Sequence, residues 1–125
     1  MRVRFERRPV ETYPETGEQV ELEPALVLGS VYEVLGIEAD TYRIINGNGE
    51  PALYDPESFT VVDPTEPDFW VTEHGEEGER YSYPPEWQDC FFERVWDREP
   101  EALAVLRQTL VRYFPDEAPR FHLEP

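Results

Sequence analysis

Apolar and polar positions alternate in short runs over the first two thirds of the chain, and a helical spacing replaces that alternation only after residue 85. Val3 and Phe5 alternate with arginines, and Val20 and Leu22 with Gln19, Glu21 and Glu23, which predicts short strands over 2–5 and 19–23. Pro9, Pro14 and Gly17 mark a loop between them. From Gly29 to Asp63 apolar segments recur at short intervals, predicting strands over 31–37, 42–45, 52–54 and 59–62. Asn46-Gly47-Asn48-Gly49 supplies residues that tolerate the positive φ of tight hairpins, and Ala39-Asp40 and Asp55-Pro56-Glu57-Ser58 supply the neighbouring turns.

After Pro64 and Pro67, the apolar runs Trp70-Val71-Thr72 and Tyr81-Ser82-Tyr83 frame the loop 73–80 as a hairpin. Trp87, Phe91 and Val95 then fall at four-residue steps behind Pro84-Pro85, predicting a helix over about 86–96. Asp97 is placed to cap a second helix with Glu99 and Glu101 in its first turn. Leu103, Leu106, Leu110 and Phe114 form its apolar stripe, and Pro115 ends it. The expected organisation is one domain over 1–125: N-terminal strands and loop (1–28), a strand-rich segment (29–63), a hairpin (64–84), a helical pair (85–115) and a tail (116–125) pinned by Phe121 and Leu123.

With 125 residues, one hydrophobic core is the default, and three Trp, seven Tyr and seven Phe supply the burial a short chain needs. Charge changes the picture most. All eleven basic residues are Arg, against 28 Asp plus Glu, for a net charge of −17. Residues 1–8 hold four Arg and one Glu, whereas 50–101 hold 16 acids against Arg80, Arg94 and Arg98. Such a field repels phosphate backbones, so nucleic-acid binding is disfavoured and a basic protein partner is attracted; the plainer alternative is charge that keeps a small protein soluble. The single Cys90 excludes an intrachain disulfide and fits a reducing compartment. No stretch has signal-peptide or membrane-span length, so a cytoplasmic location without membrane attachment is expected.

Four short strands so ordered, with a Gly before the first and a Pro-containing turn before the last, resemble an SH3-like barrel over 29–63. The expected class is therefore α+β: an SH3-like β-barrel followed by a β-hairpin and two C-terminal helices. A second register is open, since Ala52-Leu53-Tyr54-Asp55 resembles the tetrad that opens signalling SH3 domains, and Trp70 and Tyr83-Pro84 resemble their groove residues. The span from Tyr32 to Asp97 is also similar to small uncharacterised acidic bacterial proteins associated with toxin immunity. Tyr42-Arg43-Ile44, Glu50-Pro51, Leu53-Tyr54, Phe59, Asp63, Trp70, Gly78-Glu79, Tyr81, Tyr83-Pro84 and Phe91-Phe92-Glu93 carry the likeness. That resemblance implies a binding role in bacteria and no chemistry.

The loop 73–79 packs Glu73, Glu76, Glu77, Glu79 and His74 together, but without the alternating oxygens and turn glycine of a calcium loop, so no metal is expected. Cys90, beside Phe91 and Phe92, reads as a small buried hydrophobe, and His74 and His122 are the only imidazoles that could activate a nucleophile. No carboxylate pair stands out, and the glycines at 47, 49, 75 and 78 do not form a phosphate loop. Neither enzymatic activity nor a cofactor is expected. The candidate partner-binding residues are Trp70, Glu73, Glu76, Glu77, Glu79, Tyr81 and Tyr83: rigid aromatics within an acidic rim, suited to an Arg- or Lys-rich surface. An immunity-type inhibitor of a basic toxin such as a nuclease is the expected function. The alternatives are an SH3-like adaptor or regulatory subunit recognising Arg-rich or Pro-rich segments, and a small hydrolase.

Overall fold

The computed structural model describes residues 1–125. In chain order it contains β1 (Arg2–Phe5), β2 (Val10–Thr12), β3 (Gln19–Glu21), β4 (Val31–Glu33), β5 (Gly36–Glu38), β6 (Thr41–Ile45), β7 (Pro51–Tyr54), β8 (Phe59–Asp63), β9 (Val71–His74), β10 (Arg80–Tyr83), α1 (Phe91–Trp96) and α2 (Pro100–Tyr113). Short 3-10 turns at Pro56–Ser58, Pro85–Trp87 and Ala118–Arg120 join them. The class is α+β, with antiparallel sheets in the orders β4-β1-β8, β7-β6-β5-β10-β9 and β2-β3. The strands do not close into a barrel, because β7 and β8 each end as a sheet edge.

Local chemistry accounts for the elements. Ala39 and Asp40 both take positive φ (47° and 65°), the backbone of a two-residue hairpin turn whose twist matches its strands. This turn joins β5 to β6 with Glu38 opposite Thr41. The Asn46 side chain closes the next hairpin: its Oδ1 accepts from the amides of Asn48 (2.9 Å) and Glu50 (3.1 Å). Asp55 caps the 3-10 turn before β8 by accepting from the amide of Glu57 at 2.9 Å.

The expected helix over 86–96 is shorter, because Asp89 and Cys90 take left-handed backbone (φ 57° and 59°) that no helix passes through. Residues 85–87 form a 3-10 turn, and α1 begins at Phe91. Asp97 closes α1 rather than opening α2. Arg98 is left-handed (φ 59°), and Glu99 is the residue before Pro100, whose fixed φ suits the first helical position. Cys90, expected to be buried, is exposed, because its carbonyl side opens α1 while its side chain faces outward.

Instead of the single expected core, two clusters of buried side chains are present, and strand alternation is the reason. Val34 and Ile44 belong to a cluster with Val3, Phe5, Tyr32, Ile37, Tyr42 and Phe59. Their chain neighbours Leu35 and Ile45 belong to the other, with Trp87, Phe91, Phe92, Leu103, Leu106 and Leu110. Successive side chains of a strand point to opposite faces, so β6 and the segment between β4 and β5 each supply residues to both clusters. Phe121 and Leu123 join the helical cluster and pin the tail, as their hydrophobicity predicts. The arm formed by β2 and β3 stands apart, with all six of its strand residues exposed.

Candidate functional site

The β9–β10 hairpin gathers most of the sequence-predicted partner-binding residues. Its register sets Tyr81 opposite Glu73 and Tyr83 opposite Val71, so these four side chains share one face. Thr72, His74, Arg80 and Ser82 occupy the other face, where Thr72 Oγ1 and Ser82 Oγ lie 2.8 Å apart. Arg80 is held there, with Nε donating to Ser82 Oγ (3.0 Å) and Nη2 to Glu66 (2.6 Å). The hairpin's arginine is thus removed from the Glu73 face.

Each predicted residue has a distinct place. Glu73, Glu76 and Glu77 are exposed. Glu79 is half-buried and folds back over Gly75, its carboxylate accepting from the amide of Glu77 at 3.0 Å, so it belongs to the turn itself. Tyr81 is half-buried. Tyr83 packs partly on the helical cluster, with its Cβ so near Gly36 that an added methyl there would lie 3.1 Å away. Burial first, then the charges of Glu73 and Asp89, push its phenol above the usual value. Trp70 is set apart at the base of the hairpin, half-buried against the strand cluster, with its indole N–H donating to the carbonyl of Leu35 at 3.1 Å. The face that results is Glu73, Tyr81 and Tyr83, with Glu76 and Glu77 at the tip.

Residues 52–55, the signalling-SH3-like tetrad, serve the fold in this structure. Tyr54 donates its hydroxyl to the Pro24 carbonyl at 2.5 Å and accepts from Asn46 Nδ2 at 3.1 Å, while Asp55 caps the following turn. His74 lies on the face of its hairpin opposite Tyr83, and Cys90 is among the groups beside the Tyr83 phenol. No group of three or more His, Cys, Asp or Glu side chains converges as a metal ion would require. No helix is long and apolar enough to cross a membrane.

Two clefts escape sequence reasoning. One, of about 330 Å³, lies between β4 and the end of α2, lined by Val31, Tyr32 and Glu33 on one side and by Tyr113, Phe114 and Asp116 on the other. A second, of about 510 Å³, continues past Arg2 and Glu33 to Asp63, Glu66 and Asp68. The first joins residues about 80 positions apart and the second residues 30 or more apart, and no local pattern signals either pairing. Asp89 beside Tyr83 was missed because it falls within the stretch expected to be helical. The chain matches no protein-family model, no curated protein and no solved structure.

Proposed function

We propose that this chain is an acidic protein-binding module of the immunity type, which neutralises a basic toxin such as a nuclease by covering its positive cleft. The observation that carries the reading is the one-sided hairpin: Glu73, Tyr81 and Tyr83 share a face, Glu76 and Glu77 extend it, and Arg80 lies on the opposite side, paired with Glu66. Exposed carboxylates steer a cationic partner, and the aromatics give it a low-entropy surface on which to dock. The carboxylates would stand where substrate phosphates otherwise bind.

The strand order supports a second reading, an SH3-like adaptor for Arg-rich or Pro-rich segments. We infer an SH3-like barrel left open, because β8, β1, the interrupted β4/β5 strand, β6 and β7 follow one another in space, with a 3-10 turn between β7 and β8. The test is affinity capture from the source cell, followed by assay of the captured basic protein. An immunity-type module abolishes that protein's activity at stoichiometric amounts, and the triple variant Glu73→Arg, Glu76→Arg, Glu77→Arg loses about tenfold or more in association rate at low salt. Binding without inhibition favours the adaptor. Capture and inhibition unchanged in the triple variant remove the hairpin face from either reading.

A further inference from the structure

We propose that the β2–β3 arm is a second docking element, one face of which takes a protein surface of aliphatic side chains bordered by Arg or Lys. The inference stands on a different surface from the β9–β10 face and requires no inhibition. It shares with that reading only the sign of the partner's charge.

The arm is a two-stranded sheet of its own, and every residue from Val10 to Glu23 is exposed. Its pairing runs past the ends of both strands. Glu11 lies opposite Val20, the amide of Tyr13 donates to Glu18 O (2.9 Å), and the amide of Leu22 donates to Pro9 O (2.8 Å). These three pairs fall at alternate positions, so their six side chains share one face, while Val10, Thr12, Gln19 and Glu21 take the other. Pro9 stands beside Leu22, Val20 follows on the same strand, and Tyr13 is diagonal to Val20. An apolar band thus runs along the face, with Glu11 on one side of it and Glu18 on the other.

A two-stranded hairpin is only marginally stable in water unless a further strand or a helix packs on it. Nothing in this chain does so, because Val20, Leu22 and Tyr13 all remain exposed. The surrounding sequence adds to the patch. Six of the molecule's twelve exposed large apolar side chains fall within residues 10–28, namely Val10, Tyr13, Val20, Leu22, Val27 and Leu28. Apolar side chains scattered singly over a surface need no explanation, whereas a concentration of this kind marks a contact surface.

Charge selects the occupant. Residues 9–23 contain five glutamates and no Arg, Lys or His. At the root of the arm, Arg7 donates through Nε to Glu57 O (2.8 Å), and Arg8 lies 3.9 Å from Glu21 and 4.0 Å from Glu23. Glu11 and Glu18, the carboxylates that flank the apolar band, are left without an ionic partner. Any surface that covers Val20 and Leu22 also takes these two carboxylates partly out of water, which is costly unless it brings cations to them. Arg and Lys meet both needs, their stems lying on apolar surface while their charged heads reach the carboxylates. A second copy of this chain meets neither. In a two-fold contact the face would meet itself, setting Glu11 and Glu18 against their own counterparts with −17 on each side.

The test uses the full chain and a short fluorescent amphipathic helix of leucine and arginine, with binding read by anisotropy and the contact located by hydrogen exchange. The expected result is saturable binding that slows exchange of the Tyr13 and Leu22 amides, which close the two ends of the arm's ladder. The double variant Val20→Ser, Leu22→Ser should weaken binding about tenfold or more, as the loss of two aliphatic contacts implies. A peptide with serine in place of leucine should lose as much. The arm contributes no residue to either buried cluster, so the double variant should keep the protection of α2, which separates lost binding from lost fold. The triple hairpin variant should leave the effect at Tyr13 and Leu22 in place, so that the two surfaces stand or fall separately. No binding, equal binding by the double variant, equal binding of a leucine and glutamate helix, or slowed exchange confined to the β9–β10 hairpin would each overturn the proposal. So would a dimer of the chain that protects the same two amides.

Discussion

Arg43 shows how a single residue departs from its pattern. It sits on β6 at a position that faces the helical cluster, 3% exposed, where alternation calls for an apolar side chain. Its guanidinium carbon lies over the Phe92 ring, 3.6 Å from the centroid, and the group donates to the Pro51 carbonyl at 2.6 Å and pairs with Glu38. Burial pulls its pKa down to about 9, so it remains charged at neutral pH and depends on Glu38 for compensation. Glu38→Gln should therefore lower the unfolding free energy by about 3 kcal/mol in urea titrations, because it strands a buried charge. Adding Arg43→Met to that variant should recover most of the loss, and no recovery would show that the pair is not the source. Nothing local revealed this pair: an arginine between Tyr42 and Ile44 reads as an outward polar position, and Phe92 is far along the chain. The turn residues were more legible, because the Asn46–Gly49 run acts through contacts with its immediate neighbours.

At the scale of elements, periodic patterns located most strands and the second helix, and chain-breaking backbone explains where they failed. The stripe Leu103, Leu106 and Leu110 is fully buried, as its spacing predicts. The left-handed backbone at Asp89 and Cys90 is invisible in a hydrophobic pattern and cuts short the helix expected over 86–96, while that at Arg98 moves the start of the second helix past the cap expected at Asp97. The tail depends on a similar detail. Gly49 has φ +75°, and a Cβ there would lie 2.6 Å from His122 Cβ, while its carbonyl accepts from the His122 amide at 3.0 Å. Gly49→Ala should cost about 2 kcal/mol through left-handed strain alone, and should also loosen the tail. Hydrogen exchange reads the two effects separately: the His122 amide should lose protection more than the amides of α2.

For the whole molecule, titration at high pH has a definite sign. Burial, as the leading cause, raises the phenols of Tyr42, Tyr54, Tyr83 and Tyr113. The folded chain thus keeps protons that the unfolded chain releases above about pH 10, so stability complete below that value is lost as pH rises through the folded-state values. Arg43 contributes one proton of opposite sign, because its depressed pKa makes unfolding take up a proton above about 9. The four phenols should outweigh it, and urea midpoints should fall steadily above about pH 10. A midpoint that rises there would show the arginine dominating. The α+β class was legible at this scale, but the division of the interior was not, since a list of apolar residues does not say which side of a shared strand each will face.

The β2–β3 arm interrupts the chain between two strands, β1 and β4, that are hydrogen-bonded to each other. Cleavage at its tip, between Thr16 and Gly17, would free no part of either buried cluster. The resulting N-terminal fragment would stay lodged between β4 and β8 by its own ladder and by Val3 and Phe5. Limited proteolysis should accordingly yield a nicked molecule that elutes intact from a sizing column, and the two pieces, once separated by denaturant, should reassemble by fragment complementation.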